Sequence, residues 1–349
     1  MSAGPAAPSA ILEPRVVSLL PSASEIVCAL GKGGALVGRS HECDHPKGLR
    51  NLPVLTRPRL DIEADSGAID RAVQDLLRSG LSVYEVDTER LRRLRPDVVI
   101  TQVQCEVCAV TPKDLDQALQ DWIGHSPEIV SLAPDNLESV WTSMEIVAEA
   151  LEVPGRGRAL AGRLRERVAG SGAWRNGQPR PRTACIEWLD PLMTSGHWVP
   201  DLVWAAGGEA VPTPAGNDSS QSDASSLAEA DPDVVVIMPC GLDLVRARTE
   251  ASRLQAERSW LPARAVEMEN VAVADGHQYF NRPGPRLADS AEILAEVLRR
   301  SVAEGSPSGR SARRDPRGDE PPDRPANRPV GRGWSWLAPA SLRNARPSR

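Results

Sequence analysis

The sequence predicts an α/β protein built from two Rossmann-like lobes joined by one long rigid helix, with a ligand cleft between the lobes. One observation is an internal similarity between residues 87–100 and 223–236, where Asp, Leu, Pro, Asp, Val and Val recur at an offset of 136. Each segment reads as a capped short helix, a Pro-Asp turn and a buried strand. Solenoid repeats recur about every 20–50 residues, so this offset favours two related lobes. A common αβ turn used twice remains the alternative.

The second observation is a helical pattern between these two segments. Between Asn136 and Gly170 apolar residues recur at helical spacing, with Pro154 inside the pattern, which predicts one long, kinked helix. A helix of about 30 residues is about 45 Å long, enough to cross from one lobe to the other. The predicted order is an N-terminal mobile segment (1–14), an N-terminal lobe (15–134), the bridging helix (135–170), a C-terminal lobe (181–300) and a disordered tail (301–349).

The elements of each lobe follow from local signals. In the N-terminal lobe a strand at 15–20 leads into a helix with Ser22 as N-cap, Glu25 at the capping-box position and Gly31 at its end. Further strands are predicted at 35–38 and 96–100, with a helix at 70–78. In the C-terminal lobe we expect strands at 183–188, 234–238 and 271–274, and helices at 199–206, 242–256 and 287–297.

Composition and charge narrow the function classes. The 349 residues are 41% hydrophobic, which suits a sizeable core. The net charge is −6, but the last 49 residues hold ten Arg against five acidic residues, so the remaining body is more acidic and repels nucleic acid and anionic lipid. No stretch approaches the ~18 apolar residues of a membrane helix. We expect a monomer with no membrane span and no nucleic-acid partner, and binding rather than catalysis.

The N-terminus predicts the compartment. Met1 to Arg15 contains no basic segment followed by a long apolar run, so it does not resemble a secretory signal. We therefore expect a cytoplasmic protein with six reduced cysteines. A misassigned start codon would make the protein periplasmic instead.

Polar and aromatic clusters follow five of the predicted strands. Ligands bind at the C-terminal ends of strands in open α/β sheets, so these clusters should meet in the cleft. They are residues 41–44, 102–108, 187–198, 239–241 and 275–285. The cleft would then hold thiols, imidazoles, carboxylates and indole rings.

Several motifs in this order resemble the cobalamin and iron-complex solute-binding proteins of ABC importers, over about residues 15–300. The motifs are residues 18–25, 40–44, 104–108, 188–193, 196–198 and 279–285. Within that superfamily the chain is most similar to a branch labelled cobalamin-binding. The resemblance implies two lobes, a rigid helix between them and a ligand held in the cleft. It also implies an ABC importer permease as partner, met by a surface carboxylate on each lobe, for which Glu25 is the N-terminal candidate.

The expected ligand is cobalamin, a related corrinoid or another metal chelate. Trp188 and Trp198 offer flat rings for stacking, or pack in the core. Arg282 could pair with a ligand carboxylate or phosphate, or fix a turn. Imidazoles could be donated to a metal, or fix loops. The candidate ligand-binding set is Ser22, His41, Glu42, Gln104, Trp188, Asp190, His197, Trp198, Tyr279, Phe280 and Arg282.

Four cysteines are candidate metal ligands: Cys43, Cys105, Cys108 and Cys240. Thiolates spaced like Cys105 and Cys108 can share one zinc or iron ion, whereas buried thiols or a redox pair are the alternatives. A metal site would support a different function, a cytoplasmic metal-dependent enzyme or metal-handling protein that reuses the fold. A third hypothesis is an interaction module, in which Trp334, Trp336 and Leu337 of the basic tail dock a partner.

Overall fold

The computed structural model describes residues 13–79, 81–103, 115, 126–213, 218–305 and 333–337. Its strands are β1 (Val16–Ser18), β2 (Leu36–Arg39), β3 (Thr56–Pro58), β4 (Tyr84–Val86), β5 (Val98–Gln102), β6 (Glu128–Leu132), β7 (Arg182–Leu189), β8 (Leu192–Thr194), β9 (Glu209–Ala210), β10 (Ser220–Gln221), β11 (Val234–Ile237), β12 (Val271–Ala274) and β13 (Trp334–Trp336). Its helices are α1 (Pro21–Ala29), α2 (Ser66–Arg78), α3 (Thr88–Leu94), α4 (Leu137–Ala150), α5 (Pro154–Ser171), α6 (Val199–Ala205), α7 (Ala224–Glu229), α8 (Leu244–Arg258), α9 (Ala263–Glu267) and α10 (Leu287–Gly305).

Each lobe is built around one main sheet, which confirms the predicted two-lobe α/β fold. The N-terminal sheet has the order β2-β1-β5-β6, and all of its pairs are parallel. The C-terminal sheet has the order β10-β8-β7-β11-β12-β13, with β9 also paired to β7. Its centre, β7-β11-β12, is parallel, whereas β8, β10 and β13 are antiparallel to their neighbours. A separate antiparallel pair, β3 and β4, lies in the N-terminal lobe.

The internal similarity corresponds to the same structural unit in both lobes. In each unit the leading Asp caps a short helix, α3 or α7, by accepting a backbone N–H three residues later. The Asp of each Pro-Asp turn then anchors the neighbouring strand. Asp97 Oδ2 accepts from the Arg15 backbone N at 2.7 Å, and Asp233 Oδ2 accepts from the Arg182 backbone N at 2.9 Å. The repeated residues therefore have the same structural roles in both lobes: the first Asp caps the short helix, and the Asp after Pro holds the neighbouring strand.

The connection between the lobes is two helices and not the single long helix predicted over 135–170. α5 begins at Pro154, a position where the missing N–H costs nothing. A Cβ on Gly157 would lie 2.5 Å from the Ala148 Cβ, and Arg165 forms an ion pair with Glu138 near the start of α4. α5 therefore runs back along α4 and packs on α10. Pro154 begins a new helix because its ring cannot continue the preceding one.

Two further local predictions need correction. Leu20, not Ser22, is the N-cap residue of α1, and Pro21 is the first helical residue, so Glu25 does not belong to a capping box. The tail after residue 300 was predicted to be disordered, apart from a docking motif at Trp334, Trp336 and Leu337, and residues 334–336 instead form β13 on the C-terminal sheet. The predicted N-terminal segment, except for its last two residues, lies outside the described residues.

One apolar core runs through both lobes. It includes Val16 and Ile26 in the N-terminal lobe, Met144 in α4, and Val234 and Leu298 in the C-terminal lobe. α4 and α5 thus pack into a shared core, which limits how far the lobes can move at this end. Among the helices in the described ranges, none combines the length and apolar character needed to cross a membrane.

Candidate ligand-binding cleft

The two lobes meet at a buried cluster of Glu25, Arg282 and Arg286, here called the inner junction. Arg286 Nε donates to Glu25 Oε2 at 2.9 Å, and its Nη2 donates to the other carboxylate oxygen. Arg282 Nη1 lies 3.5 Å from Glu25 Oε1. Glu25 is only 4% exposed, so it cannot be the surface carboxylate that the resemblance implied. Charges removed from water in this way depend on each other for stabilisation.

Arg282 also bonds to the loop that follows β2 in the N-terminal lobe. Its Nη1 donates to Asp44 Oδ1 at 2.6 Å, and its Nη2 donates to the carbonyl oxygen of Glu42 at 3.2 Å. Asp44 and Glu42 follow β2, whereas Arg282 follows β12, so these bonds join strand ends of opposite lobes. The prediction that the clusters at 41–44 and 275–285 meet is confirmed. A guanidinium with five N–H donors can serve all of these acceptors together.

His277 completes this cluster and was missed among the sequence candidates. Arg282 Nη2 lies 2.8 Å from His277 Nε2, which lies 3.5 Å from Asp44 Oδ2. A guanidinium only donates, so a neutral His277 accepts from Arg282 at Nε2, whereas a protonated His277 faces Asp44 as a donor. The position of His277 in the predicted cluster after β12 was the available signal.

The surroundings set the charges of this cluster. Burial raises the pKa of Asp44, but hydrogen bonds from His277 and Arg282 and the charges of both residues outweigh burial and hold this pKa well below its usual range. Burial raises the pKa of Glu42, and the charges of His277 and Arg282 offset only part of that effect. Asp44 is thus the charged partner of Arg282.

His41 stands next to Glu42, and among the described residues only its Nδ1 has a hydrogen-bond partner on the ring. Its Nδ1 is 2.7 Å from Thr56 Oγ1, and the Thr56 hydroxyl donates to Ser40 Oγ at 3.1 Å. Since the only hydroxyl proton of Thr56 is used there, His41 Nδ1 carries the ring proton and Nε2 keeps its lone pair. Burial and the charge of Arg39 lower the pKa of His41 to about 4, so the ring is neutral at neutral pH. The partly exposed His41 can act as a ligand through Nε2.

A second contact between the lobes lies at the start of α2 and is here called the outer junction (Ser66, Arg246 and Glu250). Glu250 Oε1 accepts from the Ser66 backbone N at 2.7 Å and from the Ser66 hydroxyl. The free N–H groups and positive dipole at a helix N-terminus stabilise such a carboxylate. Arg246 Nη2 donates to the carbonyl oxygens of Ile62 at 2.9 Å and Ala64 at 3.2 Å.

The candidates Trp188 and Asp190 lie beside the outer junction. Trp188 is partly exposed, and its Nε1 donates to the Asp190 carbonyl at 3.1 Å. The Asp190 carboxylate pairs with Arg258 at 2.9 Å. A Cβ on Gly67 would lie 2.7 Å from Asp190 Oδ2, so this carboxylate contacts the opposite lobe at α2. Both residues therefore lie where the lobes meet.

Three aromatic candidates are core residues instead of cleft walls. Phe280 is fully buried, and Tyr279 and Trp198 are also buried. Trp198 Nε1 donates to the Phe280 carbonyl at 2.8 Å. The chain from Gly276 to Phe280 forms a π-helical turn, and both of its aromatic rings pack in the shared core under α10. The sequence placed these rings at a strand end but could not show that this turn directs them inward.

Ser22 and His197 were both candidate ligand-binding residues, and neither contacts the Arg282 cluster through a described hydrogen bond or ion pair. Ser22 is buried, and a Cβ on Gly284 would lie 3.4 Å from its Cα, so a turn of the C-terminal lobe covers the start of α1. This helix start is therefore closed to an anion. His197 has a left-handed φ of 52°, and its ring stacks on Trp198 at 5.7 Å between centroids. Its Nδ1 lies 3.7 Å from Asp218, within the same lobe.

Only two of the four predicted metal-ligating cysteines, Cys43 and Cys240, lie in the described part of the chain. Gln104, Cys105 and Cys108 lie outside the described residues. Cys43 is buried and accepts a hydrogen bond from Ser24 Oγ at 3.0 Å, and burial raises its thiol pKa to about 11. Cys240 is partly exposed. Within the described part of the chain, no three His, Cys, Asp or Glu side chains are grouped to hold a metal, so a four-cysteine centre stays a prediction.

Comparisons with known proteins agree with this fold. The family of periplasmic binding proteins matches residues 16–277. A periplasmic heme-binding protein from Pseudomonas aeruginosa superposes with a TM-score of 0.63 at 24% identity, covering 83% of this chain and 94% of that one. For the apo heme-binding protein of Roseiflexus sp. RS-1 these values are 0.60, 19%, 83% and 99%.

The periplasmic vitamin B12-binding protein of Vibrio cholerae gives a TM-score of 0.59 at 19% identity, covering 83% of this chain and 98% of that one. Among curated proteins, none matches this sequence. At such identities the solved structures support the fold alone, whereas the family match spans most of the chain. This chain therefore belongs to the periplasmic binding protein family.

Proposed function

We propose that this chain is a binding protein that holds a corrinoid or a related metal chelate, such as heme, between its two lobes. The observation that carries the proposal is the bridge from Arg282 to Asp44 at 2.6 Å across the cleft. A ligand with an acidic group can replace the Asp44 carboxylate on the same guanidinium. His277 at 2.8 Å from Arg282 adds a second polar group at that position.

The chemistry of Arg282 and His41 supports this ligand class. Heme carries propionates and cobalamin carries a phosphate, and either anion suits Arg282. The lone pair of His41 Nε2 suits iron or cobalt at the centre of such a macrocycle. The heme-binding and vitamin B12-binding proteins with the same fold support this class. The family supports an ABC importer permease as partner, with a docking carboxylate other than the buried Glu25.

Titration of the purified protein with hydroxocobalamin and, separately, with hemin tests this function. We expect a saturable change in the visible spectrum at one ligand per protein for one of the two. Arg282→Lys keeps the charge but loses the planar fork, so affinity should fall at least about tenfold. His41→Ala should abolish the spectral change that imidazole ligation causes.

His45→Ala is the matched control for His41→Ala, because His45 is exposed and lies four residues further along the chain. Its spectrum should equal that of the unmodified protein. No spectral change with either ligand at about 100 μM would contradict the proposed function. An unaltered spectrum for His41→Ala, with binding retained, would contradict the assignment of His41 alone.

A further inference from the structure

The C-terminal segment 333–337 adds a strand to the C-terminal sheet. This strand lies next to β12, the strand that precedes the Arg282 loop. β13 pairs antiparallel with β12, with Trp334 opposite Ala274. The Leu337 backbone N donates to the Val271 carbonyl at 2.8 Å, and the Gly333 carbonyl accepts from the Asp275 backbone N at 2.8 Å. This is strand addition to a sheet edge. The segment lies beyond residues 16–277, which the family match covers.

Side chains of this strand also contact the C-terminal lobe. Trp334 is fully buried, and its Nε1 donates to Glu296 Oε2 at 3.3 Å. The Arg300 guanidinium lies 5.8 Å from the centre of the Trp334 ring, and Trp336 meets that ring edge-on at 5.2 Å. Burial of an indole with its N–H satisfied contributes strongly to docking. β13 is therefore held in place.

A line of contacts connects this strand to the inner junction. Gly333 has a left-handed φ of 78°, and a Cβ there would lie 2.4 Å from a ring carbon of Tyr279. The Arg286 guanidinium lies 5.7 Å from the centre of the same Tyr279 ring. Arg286 in turn forms the bidentate pair with Glu25 of the N-terminal lobe. Gly333, Tyr279, Arg286 and Glu25 thus form a continuous path between β13 and α1.

We infer that β13 is a strap in cis, which holds Tyr279 under Arg286 and thereby fixes the inner junction between the lobes. Docking of the strap limits the positions open to Tyr279 and to the loop that carries Arg282. Release of the strap loosens the hold of Arg286 on Glu25. This inference concerns the contact between the lobes and does not depend on the identity of the ligand.

Hydrogen exchange on the full chain tests the strap. Gly333→Val introduces a side chain where φ is positive and where Tyr279 already lies. Gly177→Val is the matched control, because Gly177 also has a positive φ of 84° but faces open space. We expect amide exchange at Asp275 and Leu337 to rise about tenfold or more in Gly333→Val, with a smaller rise at 282–286 and 21–26. Gly177→Val should leave all three regions unchanged.

A cleaved full-length chain provides the second measurement. A protease site inserted between 306 and 332 allows the chain to be cut while all of its residues remain present. The C-terminal fragment should co-elute with the body after cutting, and Trp334→Ala should release it. Loss of the fragment from the cut unmodified protein would overturn the strap. Faster exchange at 271–275, with no change at 282–286 and 21–26, would overturn its coupling to the inner junction.

Discussion

The inner and outer junctions join the same two lobes with different chemistry. At the inner junction a carboxylate faces two guanidinium groups, and Glu25, Arg282 and Arg286 are each less than 10% exposed. At the outer junction Glu250 meets backbone N–H of α2, and Arg246 meets backbone carbonyls. The Arg246 side chain is 30% exposed. One contact is charge against charge, with all three residues buried, whereas the other is side chain against backbone, with Ser66 and Glu250 buried and Arg246 partly exposed.

This difference indicates which junction can open. A buried charge that loses its partner stays buried and unpaired, so separation of the inner junction is costly. Backbone groups at the start of α2 can bond to water instead once the lobes part. The inner junction also lies near α4 and α5, within the shared core. We therefore interpret the inner junction as the hinge and the outer junction as the opening edge of the cleft.

The largest expected effect is at the hinge. Glu25→Gln removes the charge that Arg286 and Arg282 share at this junction while preserving the side-chain shape. We expect the free energy of unfolding to fall by about 3–5 kcal/mol, because the buried Arg286 loses its paired carboxylate, whereas Arg282 keeps its bond to Asp44. Denaturant unfolding measures this change.

Glu63→Gln is the control for Glu25→Gln, since Glu63 is 75% exposed and lies 3.7 Å from Arg246. It should change the free energy of unfolding by no more than about 0.5 kcal/mol. If Glu25→Gln had an equally small effect, water would have to reach Arg282 and Arg286, and the contrast between the junctions would disappear.

An intermediate effect is expected at Asp44, which is partly exposed and bonds to Arg282 of the hinge. Its pKa in the folded protein is below the unfolded value, because the hydrogen bonds and charges of His277 and Arg282 outweigh burial. Its stabilisation is therefore full above the unfolded pKa of about 4 and is lost as the pH falls through the folded pKa. The unmodified protein should exceed Asp44→Asn in free energy of unfolding by about 1–2 kcal/mol at about pH 6.

That difference should shrink as the pH is lowered from about 4 to about 3, because the unfolded chain gains a proton at Asp44 in this range whereas the folded protein keeps Asp44 charged. Unfolding curves collected across this range measure it. Asp75→Asn serves as control, because Asp75 is 75% exposed and pairs only with Arg78 on its own helix among the described residues. A difference between Asp44→Asn and the unmodified protein that does not vary with pH would contradict a charged Asp44–Arg282 bridge.

The sequence predicted the parts of this comparison that depend on local pattern. β-branched runs located β5, β11 and β12, and the rule that ligands gather at strand ends brought Glu42 and Arg282 together. It did not predict that Glu25 pairs with Arg286, because residues 261 positions apart in sequence carry no local mark of their contact. Glu25 in a helix start looked like a capping residue. Only the packing of two lobes showed that it is buried.

The prediction of one long helix between the lobes was wrong for a different reason. Apolar spacing continues from α4 into α5, because both helices bury one face in the same core. Periodicity alone therefore could not separate one long helix from a pair. Pro154 was the signal that decides, since it favours a helix start and restricts the residue before it. The aromatic rings of Tyr279 and Phe280 likewise face inward because of a turn geometry that no spacing rule encodes.

The smallest expected effect is at the opening edge, and it tests the comparison most directly. Arg246→Ala removes the bonds to the Ile62 and Ala64 carbonyls and should lower the free energy of unfolding by only about 1 kcal/mol. Amide exchange at Ser66 should nevertheless become faster, because Glu250 can then leave the start of α2 without global unfolding. Exchange at residues 21–26 should not change. Thr249→Ala is the control, since Thr249 is exposed on the same helix and its hydroxyl bonds to the Val245 carbonyl within α8. An equal rise at Ser66 and at residues 21–26 would mean that both junctions open as one unit, and the inner junction would then not be a hinge.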